Sequence, residues 1–154
     1  MKPTESCVLG FARPDAAKSK AEAKNVALTK TIIQPAKSPP PVGPYSHAVR
    51  VGNLLFCSGQ LPLDARTGKL VGDDVRAQTD RVMQNLYAIL EQEKLNYDHV
   101  VKTTVYLTNM EDLPGMNEVY GQYFSRNYPA RSTVQVAGLP CGAKVEIEAI
   151  ASYG

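Results

Sequence analysis

The sequence predicts an α+β layer, a single domain in which a mixed sheet of about six strands carries two helices on one face. Three observations predict it. Helical spacing occurs in only two stretches, after Asp73 and Asp74 and again around Met116 to Phe124. Several other runs are β-branched or alternate, the clearest being V-V-K-T-T-V-Y-L at 100–107. Finally, Leu54-Leu55-Phe56-Cys57 is apolar on both faces, as in a strand buried from two sides. No third helix exists to cover the second face, so the chain is expected to form a homo-oligomer that buries it between subunits.

Taken in order, residues 1–26 are rich in Ala, Lys, Ser and Pro without a hydrophobic period and read as a flexible extension. The apolar run C-V-L-G-F-A at 7–12 is shorter than a secretory h-region of ~7–15 residues flanked by its other signals. Arg13 is the single arginine there, and Glu5, Asp15 and Glu22 fit an organellar presequence poorly. Residues 27–154 form the predicted domain. Its first strand is expected near Ala27–Ile33, followed by the loop S-P-P-P-V-G-P, whose prolines preset φ and remove backbone donors.

That loop delivers Tyr45 and Ser46 to a strand over His47–Val51. Gly52-Asn53 is a two-residue turn signal, so Leu54–Ser58 should return as the hairpin partner. A loop with a turn around Thr67-Gly68 follows. The strong helix begins after Asp73 or Asp74, either of which can cap it. Val75, Thr79, Val82, Met83, Leu86, Ile89 and Leu90 form one apolar stripe that reads as core rather than as a cofactor box. Val100–Leu107 is a strand, Met116–Phe124 a second helix, and Pro129–Ala149 two further strands joined by a Pro/Gly turn.

Bulk properties narrow the function. The whole chain of 154 residues carries a net charge of +2. Residues 1–37 hold seven Lys/Arg against three Asp/Glu, and the remainder ten against twelve. The folded body therefore lacks the basic footprint of a nucleic-acid binder. No run approaches the ~18 apolar residues of a membrane span. Cys7, Cys57 and Cys141 make no even framework, which predicts a reducing, cytoplasmic setting, with mitochondria or plastids as the alternative if the basic extension is a presequence. His47 and His99 lie far apart in sequence, and no metal site is expected.

Chemistry concentrates in P-A-R-S-T-V-Q-V-A-G-L-P-C-G-A-K-V-E-I-E-A at 129–149. Alternation puts Arg131, Thr133 and Gln135 on one face and Ser132, Val134 and Val136 on the other. A guanidinium fork matches a carboxylate, so Arg131 either binds an acid or forms a structural ion pair with Glu146 or Glu148. The two glutamates lie about 6.6 Å apart on one face of the last strand. A glycosidase pair is discarded, because no aromatic sugar platform accompanies them and the chain has no Trp. Tyr45 and Ser58 fall at the same end of the first hairpin and can share a rim. Asn117, near the start of the second helix, reads on its own as a cap or surface residue.

G-P-Y-S-H-A at 43–48, F-C-S-G-Q at 56–60, V-K-T-T-V-Y-L at 101–107 and P-A-R-S-T-V followed by V-E-I-E-A at 129–149 together resemble the Rid (YjgF-like) family of reactive intermediate deaminases. The similarity covers about residues 28–153 and is greatest to the 2-iminobutanoate/2-iminopropanoate deaminase branch. The resemblance implies a chorismate-mutase-like fold, a homotrimer with clefts between subunits, and hydrolysis of enamines and imines from pyridoxal-phosphate enzymes to 2-keto acids and ammonia without a cofactor. It carries the carboxylate-binding arginine onto Arg131 and the water-associated glutamate onto Glu146. Tyr45, Ser58 and Asn117 match cleft-lining positions. Thr133 departs from the pattern, since that position is often cysteine in this branch.

Two other readings accompany the same resemblance. One is a non-enzymatic ligand-sensing or chaperone-like trimer, which an Arg131/Glu146 pair disfavours. The other is an RNA-cleaving translation inhibitor, which the acidic body and the lack of a suitable His pair disfavour. A chorismate mutase rests on fold alone, and fold is weak evidence for function.

Overall fold

A computed structural model describes residues 29–154. The extension expected over 1–26 lies outside them, as do residues 27 and 28 of the expected first strand. The strands are β1 (Lys30–Ile33), β2 (Ala48–Val51), β3 (Leu54–Gln60), β4 (Val100–Leu107), β5 (Ala130–Gln135) and β6 (Val145–Ser152). The helices are α1 (Val75–Gln92) and α2 (Leu113–Tyr120). One sheet in the order β1-β2-β3-β6-β4-β5 contains all six strands.

The β2–β3 hairpin turns as its sequence requires. Gly52 takes φ +59° and Val51 stands opposite Leu54. Pairing is antiparallel everywhere except between β4 and β5, which run parallel with Thr103 opposite Arg131. The expectation that the last two strands form a pair is corrected here. β6 has β3 on one edge and β4 on the other, so β5 cannot pair with β6 and joins instead at the far edge of β4. α2 supplies the crossover that a parallel neighbour needs. The following turn uses left-handed backbone at Cys141 (φ 57°) and Gly142 (φ 72°) to bring the chain back to β6.

α1 lies on β3 and β6, with α2 beside it. Asp74 is its N-cap, accepting from the amides of Arg76 (2.7 Å) and Ala77 (3.1 Å). Every residue of the expected stripe is buried. Facing it are Leu55, Cys57, Val105, Leu107, Val145, Ile147, Ala149 and Ala151, all buried. Burial pushes the Cys57 thiol up to about 12, as its core position demands.

Two polar residues on α1 are also buried and were not anticipated. Asn85 donates to the carbonyls of Leu61 and Leu63, each at 2.9 Å. Gln78 donates to Gly72 O (3.0 Å) and accepts from Lys144 N (2.8 Å). They tie the loop after β3 and the start of β6 to the helix.

The second helix starts and stops earlier than expected. It runs from Leu113 because Pro114 sits in the first turn, where a missing N–H costs no helical bond. A 3-10 turn, Gly121–Tyr123, takes the place of its expected last turn. Among the described residues the sheet face away from the helices is open. Phe56 is 42% exposed on it, and with Val49, Ile150, Lys102, Thr104 and Glu148 it lines a concavity of about 430 Å³.

Candidate active site

A bulge in β3 builds the first part of the site. Cys57 stands opposite Ala149 and Gln60 opposite Ile147, so Ser58 and Gly59 together oppose the single residue Glu148. Such a bulge re-aims side chains at the end of a strand. Ser58 is held by two bonds to the segment that leads into β2: its amide donates to His47 O (2.9 Å) and its hydroxyl to Ser46 O (2.7 Å). With its proton donated to backbone, the Ser58 oxygen faces the site as an acceptor.

Glu146 alternates outward from β6 and comes to rest against Gly59. Tyr45, Ser58, Gly59, Leu61 and Glu146 line a concavity of about 160 Å³. Burial raises the Glu146 carboxyl above its ordinary range, and the neighbouring charge of Glu148 raises it further. A carboxylate so tuned accepts a proton more readily near neutrality than an exposed glutamate does. Tyr45 is 40% exposed, and its hydroxyl accepts from Val42 N at 3.3 Å within the proline loop.

Arg131 occupies a different place. It is exposed on the edge strand β5, opposite the buried Thr103 of β4, and so on the helix side of the sheet. Its guanidinium lies over the Tyr120 ring, 4.9 Å from the centroid. Asn117, Tyr120, Gly121, Tyr128, Pro129 and Arg131 line a concavity of about 370 Å³. Among the described residues no carboxylate lies within ion-pair distance of Arg131. The structural ion pair with Glu146 or Glu148 is therefore ruled out within the chain.

The residues singled out from the sequence thus fall into two groups. Tyr45, Ser58 and Glu146 are together, and Asn117 and Arg131 are together. Thr133 is half-buried two residues beyond Arg131 on β5 and outside either lining. Asn117 lies within α2 rather than at its cap, and lines the same concavity as Arg131. β4 separates the strands carrying Arg131 and Glu146, whose side chains point to opposite faces. At about 4.8 Å per strand, one small substrate cannot bridge the two within a subunit.

Two residues of these groups escaped sequence reasoning. Gly59 reads as turn chemistry in F-C-S-G-Q, and only the bulge shows that it makes room for Glu146. Tyr120 was recoverable, because it follows Asn117 by three residues and must share a helix face with it.

A family model described as endoribonuclease L-PSP matches residues 35–153. The chain is 47% identical over 124 residues to a RutC family protein of Pyrococcus abyssi, covering 80% of this chain and 98% of the relative. It is 41% identical over 128 residues to the human 2-iminobutanoate/2-iminopropanoate deaminase, covering 83% of this chain and 93% of that one. The crystal structure of the YjgF gene product of E. coli superposes with a TM-score of 0.77 at 38% identity, covering 80% of this chain and 99% of that one.

Proposed function

The chain belongs to the endoribonuclease L-PSP family, the YjgF/Rid family, and from that premise we propose that it hydrolyses 2-imino acids such as 2-iminobutanoate and 2-iminopropanoate to 2-keto acids and ammonia. The observation that carries this reading is the division of the candidate residues into an arginine on a sheet edge, with no carboxylate partner among the described residues, and a raised-pKa glutamate on the open face. Each is half of what the reaction needs.

Arg131 binds the substrate carboxylate through its fork, with Asn117 beside it. Glu146 holds a water and takes its proton as the oxygen adds to the imine carbon. The C=N π electrons move to nitrogen, giving a carbinolamine. Glu146 then returns the proton to nitrogen, the C–N bond breaks as Glu146 takes the hydroxyl proton and the carbonyl forms, and that proton passes to the departing ammonia, which leaves as ammonium. A protonated imine is electrophilic already, so no covalent nucleophile and no cofactor is required. Tyr45 and the Ser58 oxygen orient the amino group, while the backbone around Thr133 steadies the carboxylate.

The two groups meet between subunits. The exposed apolar residues of the open face, Phe56 foremost, favour assembly as a homotrimer with a chorismate-mutase-like architecture. In it, the β5 edge of one copy closes over the Tyr45–Ser58–Glu146 corner of the next. A sensor or chaperone would not need Glu146 in its raised state.

RNA cleavage is disfavoured by the two histidines. His47 is buried with its pKa lowered by burial, and His99 bonds Asn96 in a capping box. Among the described residues no helix is long and apolar enough to cross a membrane. Cysteine usage supports a reducing compartment, read here as the cytoplasm, and N-terminal sequencing of the native protein decides it against an organellar one.

The activity itself is tested with threonine dehydratase, threonine and semicarbazide. Trapped imine falls when the protein is present if the reading is right, and stays constant if it is wrong.

A further inference from the structure

Arg131 presents a problem that its proposed role does not solve by itself. A long side chain on an exposed edge strand samples many rotamers, and ligand binding must then freeze them. The remaining geometry answers it. The guanidinium carbon lies 4.9 Å above the Tyr120 ring. The Tyr120 hydroxyl is 2.8 Å from the Thr103 hydroxyl oxygen, and the two residues are only 3% and 0% exposed. Thr103 is in turn the register partner of Arg131 across β4 and β5.

We propose that Tyr120, anchored through Thr103, is a positioning residue that presets the Arg131 guanidinium at the β5 concavity for its carboxylate ligand. The inference rests on the carboxylate-binding role given to Arg131 above. The chain of contact runs from helix α2 to strand β4 and back to β5, so three separately held elements agree on one orientation. Ordinary core packing explains the tilted contact of the ring with Phe124 at 4.8 Å between centroids. It does not explain a buried hydroxyl, which needs a partner to be tolerated, where a phenylalanine would fill the same space. Nor does it explain why the ring also meets a guanidinium that has no carboxylate partner among the described residues.

Fixing the arginine favours ligand-bound and transition states equally, because the carboxylate is not the reacting group. The effect therefore belongs in KM rather than in kcat. Tyr120→Leu removes the π face and should raise KM, and the Kd of 2-oxobutanoate by titration calorimetry, roughly five- to tenfold with kcat within about twofold. Tyr120→Phe keeps the face but loses the Thr103 anchor, and should raise both constants by a smaller factor, no more than about threefold.

A spectroscopic readout is independent of activity. In arginine-labelled, deuterated protein, the Arg131 side-chain protons should be shifted upfield by the ring in the wild type and in Tyr120→Phe. Unshifted protons in the wild type would overturn the inference without any variant. So would a Tyr120→Leu protein that assembles and binds 2-oxobutanoate with wild-type affinity, or one whose loss lies in kcat. Failure of the underlying reading looks different: Arg131→Ala would then bind 2-oxobutanoate as the wild type does, while the ring shift in the wild type persisted.

Discussion

Gly59 and Glu146 share one space. A Cβ on Gly59 would collide with Oε1 of Glu146. The carboxylate therefore occupies the volume that any side chain at residue 59 needs.

Gly59→Ala is expected to displace the carboxylate rather than the backbone, since the group it meets is the end of a flexible side chain. A misplacement of about 1 Å costs roughly a hundredfold in rate. The expected result is a fall in kcat of that order with the melting temperature nearly unchanged. Steady-state kinetics and a thermal melt on the same preparation check it. Wild-type kcat in a folded Gly59→Ala protein contradicts the role given to Glu146.

Glu148 raises the Glu146 carboxyl after burial has already raised it. Activity that needs ionised Glu146 should increase as pH rises through that elevated value. Glu148→Gln removes the like charge and leaves the burial. The acid limb of the kcat/KM profile should therefore move to lower pH while remaining above the ordinary glutamate range of about 4.3. A limb that stays in place, or moves up, refutes the assignment of that limb to Glu146.

Thr133 stands two residues past Arg131 on the same side of β5 and touches neither concavity. A thiol there is unnecessary if the imine is attacked by water. Thr133→Cys should change kcat/KM by less than about threefold, because it neither adds a required nucleophile nor removes a clamp. A gain of a hundredfold would show that a thiol takes part after all.

Phe56 lies 42% exposed on the open face. Phe56→Asp places a charge where the proposed subunit contact must be dry. Sedimentation should show the wild type as a trimer and the variant as a monomer, with activity lost alongside assembly. A variant that is monomeric and fully active would mean that each subunit holds a complete site.

Much of this fold is legible in the sequence because its signals are local. The α1 stripe, the Asp74 cap and the Gly52-Asn53 turn each depend on neighbours within a few residues. The candidate residues Tyr45 and Ser58 could be brought to one rim by the hairpin for the same reason. The pairing of β5 was not legible, since the Pro/Gly turn before β6 looks like a hairpin connection. Only the occupancy of both β6 edges by β3 and β4 excludes it. Gln78 and Asn85 were hidden because a polar residue on a helix reads as solvent-facing until its loop partners are known. The separation of Arg131 from Glu146 is likewise a property of sheet order, which alternation along single strands cannot reveal.

The central claim is that Arg131 and Glu146 act together from different subunits. Arg131→Ala and Glu146→Gln should each assemble normally and each be inactive. When the two variants are co-refolded in equal amounts, random assembly gives about one cleft in four with both native residues, and about a quarter of wild-type activity should return. If the mixed oligomers form and remain inactive, the two residues do not build a shared site and the account is wrong.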